Sequence, residues 1–231
     1  LTGADTATIN ITAVNDAPVA TITPLTYAAT EQTTLTLHGT GLSIADVDAG
    51  GATNMVATLS VGEGTLTVVP GTSGVTVGGS GTSSVTLTGS VAQINALLAS
   101  AGGATGTITY LDNTDTPSAS TVLTLSVNDA GNTGGGALTG SDTATINITA
   151  VNDAPTATIT PLTYAATEQT TLTLAGSGLS IGDVDAGGAS VTTTLSVVSG
   201  TLNVTAGTTG VTVAGSGTAT VTLTGTLTQI N

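Results

Sequence analysis

The feature that most constrains the fold is a long internal repeat. The segment Leu1–Ala52 begins again at Leu138 and runs, with a handful of changes, to Ala189. The second copy then lacks one residue, and Leu59–Asn95 matches Leu195–Asn231. Self-similarity on this scale is typical of tandem arrays in which each unit contacts its neighbours. We therefore expect the same fold to occur twice along this chain.

Most of each unit consists of short runs that alternate apolar residues with Thr or Ser. Such residues favour a pleated, half-buried surface, and the Gly, Pro, Asn and Asp between the runs favour turns. The predicted strands are Ala7–Val14, Thr33–Leu37, Val56–Val61, Thr65–Val69, Val75–Val77, Val85–Thr88, Thr107–Leu111 and Thr121–Val127. Roughly seven to nine short strands per unit predict an all-β chain of tandem antiparallel β-sandwiches.

A helical period occurs at Val91–Leu98, where Ile94, Leu97 and Leu98 share one face. This pattern predicts one short helix per repeat, packed across an end of the sandwich.

The natural boundaries of the repeat are the segments Asn15–Pro18 and Asn152–Pro155. Proline restricts its own backbone and that of the residue before it, so we expect a short and stiff connection. We interpret residues 1–17 as the last strand and linker of a preceding repeat, 18–154 as a complete repeat, and 155–231 as an incomplete second repeat. The chain would then be a window on a longer array.

The chain has no Lys or Arg, 14 acidic residues and a formal charge of −14. This composition argues against nucleic-acid binding, which needs basic residues to neutralise phosphates. Walker-type nucleotide hydrolysis, Schiff-base chemistry, thiol catalysis and disulfides all lack a required residue type. A glycosidase cleft is usually lined with aromatic residues, of which the chain has three Tyr alone. We expect no enzymatic activity and, without a long apolar run, no membrane insertion in this segment.

Most of the carboxylates cluster in predicted loops and at strand ends. The pair Asp46 and Asp48 recurs as Asp183 and Asp185. With no basic residue available, neighbouring carboxylates repel one another and destabilise the fold. Because ligands of oxygen alone suit Ca²⁺ far better than Zn²⁺, the sequence predicts Ca²⁺ as the cofactor.

The order of these residues resembles a known family. Tyr-x3-Glu is followed by Asp-x-Asp, Leu-Asp, Asn-Asp-x-Gly and a strand ending in Val-Asn-Asp-Ala-Pro, which is similar to the calcium-binding pattern of cadherin repeats. The phrases ITAVNDAP, DVDAGG and GTLTV resemble the cadherin-like and immunoglobulin-like tandem repeats of very large bacterial surface adhesins, often grouped with RTX and VCBS proteins. The resemblance covers essentially the whole chain.

The resemblance implies a calcium cluster at each joint between repeats. At the first joint the implied ligands are Asn15, Asp16, Asp46, Asp48 and Asp129. At the second joint they are Glu31, Asp112, Asn152, Asp153, Asp183 and Asp185. The chain departs from the cadherin pattern at Ala13 and Ala150, where a further Asp is usual, and at Asn113 and Thr114, where an acidic residue is expected. We therefore expect fewer ions per joint than a cadherin holds.

These expectations predict an extender segment of a long extracellular adhesin, located at a bacterial cell surface or secreted, with Ca²⁺ rigidifying its joints. Its partners would be the adjacent repeats of the same chain. An alternative is a structural subunit of an extracellular filament or sheath, in which identical chains associate through strand edges. A third alternative is a repeat that itself binds ice, through its Thr-x-Thr runs, or carbohydrate.

Overall fold

The computed structural model describes residues 3–52, 54–103, 105–132 and 134–231. The first two residues of the segment interpreted as a preceding repeat, Leu1 and Thr2, lie outside the described residues. The chain divides into two compact units, Leu1–Val151 and Asn152–Asn231.

The first unit contains eleven strands and one helix among its described residues. In chain order they are β1 (Val19–Ile22), β2 (Thr26–Thr30), β3 (Leu35–Thr36), β4 (Leu42–Ala45), β5 (Met55–Val61), β6 (Thr65–Val69), β7 (Thr76–Gly78), β8 (Ser84–Gly89), α1 (Val91–Ala99), β9 (Thr107–Leu111), β10 (Ser120–Asn128) and β11 (Thr139–Thr149). The strands β1, β2 and β4 were not among those predicted from the sequence. Strands β1 and β4 have only four residues each, too few for the alternation to stand out, and β2 has five.

The strands of the first unit form a β-sandwich. One layer is a six-stranded sheet in the order β2-β11-β10-β5-β8-β7. The opposing layer consists of the β1–β4 pair and a three-stranded sheet in the order β3-β9-β6. All pairings are antiparallel except β2 with β11, which run parallel. The parallel pair was not anticipated from the sequence, and it determines the position of one acidic residue described below.

One hydrophobic core joins the inward faces of all these sheets. Along β5 and β10, buried residues alternate with residues that face outward, most of which are Thr and Ser. This is the alternation expected of antiparallel strands with one face on the core and one in water. Leu59 of β5 is paired with Leu125 of β10 on one side and with Val85 of β8 on the other, and all three are fully buried.

The predicted helix is confirmed, since α1 spans Val91–Ala99. It buries the predicted face of Ile94, Leu97 and Leu98, and a capping box between Ser90 and Gln93 fixes its first turn. No helix within the described ranges has the length and apolar character needed to cross a membrane.

The second unit contains the copies of part of these elements. They are β12 (Thr156–Ile159), β13 (Leu179–Gly182), β14 (Val191–Ser196), β15 (Thr212–Ala214), β16 (Thr220–Gly225) and α2 (Leu227–Ile230). They form a β12–β13 pair and a sheet in the order β14-β16-β15. Among the described residues of this unit, Leu202 and Val221 are the buried apolar side chains.

The predicted strand Ala7–Val14 is wrong for this structure. Residues 7–14 have no regular secondary structure, and Ile9 and Ile11 are 83% and 88% exposed. The identical copy at 144–151 lies largely within β11, where β10 and β2 satisfy its backbone hydrogen bonds. A strand is stable only beside a neighbouring strand, and no described strand pairs with residues 7–14.

Candidate metal-binding site

The antiparallel pairing of β1 with β4 positions the first group of acidic residues. Val19 at the start of β1 pairs with Ala45 at the end of β4. The linker before β1 and the loop after β4 therefore meet at the same end of the sandwich. There the backbone amide of Asp16 donates to Oδ2 of Asp48 at 3.0 Å, and the amide of Asp48 donates to Oδ1 of Asp46 at 3.2 Å.

The second unit repeats this arrangement with its own residues. Its β12 pairs with β13 in the equivalent antiparallel register. The amide of Asp153 donates to the carboxylate of Asp185, and the amide of Asp185 donates to Oδ1 of Asp183 at 3.1 Å. The contact between the linker aspartate and the Asp-x-Asp loop is thus a property of the repeat. The remaining linker residue named for this joint, Asn152, is exposed, and its side chain donates to the carbonyl of Asp153 at 3.0 Å.

Electrostatics at Asp46 disfavour its charged form. Burial, and then the neighbouring Asp48 carboxylate, raise the pKa of Asp46 above its ordinary value. Its Oδ2 is buried and accepts no hydrogen bond. A carboxylate in this position gains stability from a cation, because a positive charge opposes both the desolvation and the repulsion.

Asp129 lies at the same end of the unit, in the loop that follows β10, and is almost completely buried. Its Oδ1 accepts from the amides of Gly131 and Leu138 at 2.9 and 2.8 Å, and its Oδ2 accepts from the Asn15 side chain at 2.7 Å. Burial opposes ionisation, but these hydrogen bonds outweigh it and lower the pKa of Asp129 below its ordinary value. The structure therefore brings Asn15 to Asp129 and the next residue, Asp16, to the Asp-x-Asp loop.

Glu31 belongs to a second acidic group of the first unit. Because β2 and β11 run parallel with Thr30 beside Thr149, their carboxyl ends meet at one edge of the sheet. Glu31 directly follows β2, and its Oε2 accepts from the amide of Val151 at 3.1 Å. The side chain is 1% exposed, and its Oε1 is buried without a hydrogen-bond partner. An unpartnered buried carboxylate oxygen is costly, and it marks a place for a cation or a bound water.

Asp112 follows β9 and is buried beside Tyr110. Its Oδ1 accepts from the amide and the hydroxyl of Thr114, both at 3.1 Å, and its Oδ2 accepts from the hydroxyl of Tyr110 at 3.4 Å. Burial, and then the adjacent Asp112 charge, raise the pKa of Tyr110. These contacts hold the loop after β9 in place beside the end of the sheet.

Asp115 joins this group although it was not among the ligands that the sequence predicted. A carboxylate oxygen of Asp115 lies within 4.8 Å of one of Glu31. The side chain of Gln32 donates to Oδ1 of Asp115 at 2.9 Å, and the amide of Gln32 donates to the carbonyl of Asp112 at 2.7 Å. Asp115 is exposed and lies three residues after Asp112 of the Leu-Asp motif, so the sequence signal was that of an ordinary turn residue.

The residues present fit a hard cation. The donors are carboxylate, amide and carbonyl oxygens, and the chain has no Lys or Arg to neutralise them. The buried atoms without a partner include Glu31 Oε1 and Asp46 Oδ2, one in each acidic group of the first unit. The acidic group that contains Glu31 and Asp115 could therefore bind a metal ion.

Comparison with known proteins gives a likeness in fold at low similarity. The protocadherin gammaB7 EC3-6 cis-dimer structure is 19% identical at a TM-score of 0.37, over 93% of this chain and 43% of that chain. The solution structure of CaCohA2 from Clostridium acetobutylicum is 12% identical at a TM-score of 0.34, over 58% of this chain and 92% of that chain. No family model and no curated protein matches the chain.

Proposed function

We propose that this chain is a non-enzymatic extender segment of a long extracellular, calcium-dependent adhesin of a bacterial surface. In this proposal residues 1–17 belong to a preceding repeat, 18–154 form a complete repeat and 155–231 begin the next. Ca²⁺ bound at the ends of the repeats rigidifies the joints, so that the array holds an adhesive module at a distance.

The observation that carries the proposal is the buried carboxylate of Glu31, one oxygen of which has no partner. A buried ionised group is normally paired or bound to a metal. Pairing with Lys or Arg is impossible here, because the chain has neither. The backbone amide of Val151 donates a hydrogen bond to this carboxylate, and Val151 is the last residue before the linker. An ion bound by Glu31 would therefore help to fix the position at which the chain leaves the sandwich.

Each linker is also tied to the repeat that follows it. The amides of Asp16 and Asp153 donate to the carboxylates of Asp48 and Asp185, respectively. These hydrogen bonds orient the linker through its backbone amides. Bound Ca²⁺ would supply the positive charge that this chain lacks.

The ligands proposed for the joints are those that the resemblance to cadherin repeats implies. For the first joint they are Asn15, Asp16, Asp46, Asp48 and Asp129. For the second joint they are Glu31, Asp112, Asn152, Asp153, Asp183 and Asp185.

Calcium dependence is tested first by unfolding. Ions that bind only the folded chain stabilise it by RT ln(1 + [L]/Kd), which is about 1.4 kcal/mol per site at ten times Kd. Extracellular modules bind Ca²⁺ with Kd values of roughly 10⁻⁴ to 10⁻³ M, so millimolar Ca²⁺ should raise the thermal midpoint and a chelator should reverse the effect. Magnesium at the same concentration controls for ionic strength.

A matched pair of variants locates the effect. Asp46→Asn and Asp5→Asn each remove one negative charge, but Asp5 is exposed and lies outside both acidic groups. We expect Asp46→Asn to reduce the stabilisation by Ca²⁺ and Asp5→Asn to leave it unchanged. A midpoint independent of Ca²⁺ in the wild-type chain would refute the proposal.

Rigidification is tested by small-angle scattering of the same chain with Ca²⁺ and with chelator. The extender proposal expects a larger maximum dimension with Ca²⁺, because the joint straightens and stops sampling bent arrangements. Unchanged dimensions would contradict the calcium-dependent joint. Particle mass that rises with protein concentration would instead favour the filament subunit.

A further inference from the structure

A second acidic residue approaches the buried Glu31 from the solvent side. The Glu31 carboxylate is 1% exposed, whereas Asp115 is exposed, and oxygens of the two groups lie within 4.8 Å of each other. Two oxygens that share one Ca²⁺ at about 2.3–2.6 Å each can be separated by this distance. The pair therefore offers one inner and one outer ligand to a single ion.

The position of Asp115 is set by the turn that carries Glu31. Gln32 has a φ of 57°, in the left-handed region that non-glycine residues seldom occupy. In this conformation its backbone amide donates to the Asp112 carbonyl at 2.7 Å, and its side chain donates to Asp115 at 2.9 Å. The loop after β9 is thus tied at two points to the residue next to Glu31.

No Lys or Arg can offset the charge of this pair. Gln32 donates a neutral amide hydrogen, and the chain contains no Lys or Arg. One Glu31 oxygen remains buried and unpartnered while a second carboxylate faces it. An arrangement with two approaching carboxylates and an unsatisfied inner oxygen is stabilised by a divalent cation and destabilised without one.

We infer that Asp115 is a direct ligand of the Ca²⁺ ion bound by Glu31, and that Gln32 is the positioning residue that holds it there. This inference rests on the proposed function and extends it, because Asp115 lies outside the predicted ligand set. Asp112 then supports the site through its contacts with Tyr110 and Thr114.

The test is binding of Ca²⁺, and of Tb³⁺ as a luminescent substitute, to the full chain. Tyr110 lies 3.4 Å from the Asp112 carboxylate, so its excitation should sensitise Tb³⁺ bound beside Glu31. Tyr110→Phe identifies the part of the signal that comes from this site. Calorimetric titration with Ca²⁺ gives the affinities, and circular dichroism checks that each variant is folded.

Three variants separate a ligand from a bystander. Asp115→Asn should weaken binding at the Tyr110-sensitised site about tenfold or more, and Gln32→Ala should weaken it by about tenfold, the lower end of the effect of outer-sphere partners. Asp5→Asn removes the same charge from an exposed residue outside the group and should leave the affinity unchanged.

The outcomes distinguish this inference from the function it extends. If the wild-type chain binds Ca²⁺ and Asp115→Asn binds it equally well at the Tyr110-sensitised site, the ligand role of Asp115 is refuted and the calcium-dependent joint stands. If Asp5→Asn weakens that site as much as Asp115→Asn does, the effect is one of net charge and the inference also fails. If the wild-type chain binds no Ca²⁺, both fail.

Discussion

The chain contains its own control for the energetic value of tertiary packing. Residues 5–14 and 142–151 have the same sequence, yet Ile9 is 83% exposed and Ile146 is fully buried. Ile146 lies in β11, where it pairs with Thr121 of β10 and Tyr27 of β2. The two substitutions Ile9→Ala and Ile146→Ala therefore make the same chemical change in the same local sequence and in opposite environments.

The expected magnitudes differ widely. Replacing Ile by Ala removes three carbon groups, and burial of each contributes about 0.8 kcal/mol, or about 2.4 kcal/mol in all. The cavity left in the core adds to this loss, and the usual range for such substitutions is about 2–5 kcal/mol. We expect Ile146→Ala to lower the free energy of unfolding by about 3 kcal/mol. Ile9→Ala should change it by less than about 0.5 kcal/mol.

Urea unfolding followed by tyrosine fluorescence measures both values. Tyr27 and Tyr110 report on the first unit, and Tyr164 reports on the second. With a slope of about 2 kcal/mol per molar urea, Ile146→Ala should move the midpoint of the first unit by about 1.5 M. If Ile9→Ala shifts the same midpoint by a comparable amount, or if Ile146→Ala shifts it by much less, then the burial of β11 described here is incorrect.

Three further predictions concern single contacts. The amide of Ser118 donates to both oxygens of Glu63. Hydrogen bonding from the Ser118 side chain, and then from its amide, lowers the pKa of the Glu63 carboxyl group, so Glu63 stabilises the fold above its ordinary pKa. The stability advantage of the wild type over Glu63→Gln should therefore vanish as the pH falls through the lowered folded-state value, and a pH-independent difference would contradict this. Asn95 donates to and accepts from the backbone of Ile44, both at 2.8 Å, so Asn95→Ala should cost about 1–3 kcal/mol in urea unfolding, and a neutral result would exclude this contact. Ser90→Ala removes the cap of α1 and should cost about 1 kcal/mol by the same measurement, with Ser90→Gly expected to cost less.

Elements with strong local patterns were predictable from the sequence. The strands β6 and β9 have the predicted bounds, and α1 extends one residue beyond its predicted end. In each case the alternation or the helical period extends over five residues or more. By contrast β1 and β4 have only four residues each, and β2, although it has five, pairs in parallel with β11, which lies far away in the sequence.

The residues of the candidate site also differ in how far the sequence alone identifies them. The Asp-x-Asp pairs could be identified because their spacing and repetition are properties of the sequence, and both copies form the same contact with the linker aspartate. Asp115 could not be identified, because its approach to Glu31 depends on the turn at Gln32 and on the loop after β9. The burial of Glu31 likewise depends on the parallel pairing of β2 with β11.

The residues 5–14 and their copy separate what sequence and tertiary structure each decide. Composition and spacing are enough to establish an acidic, repetitive, all-β chain without internal counter-charge. They do not decide whether a given segment is a buried strand, because identical residues are exposed coil in one place and part of β11 in the other. Alternation makes a segment able to form a strand, but its backbone and side chains are satisfied only by neighbours that the fold brings from elsewhere in the chain.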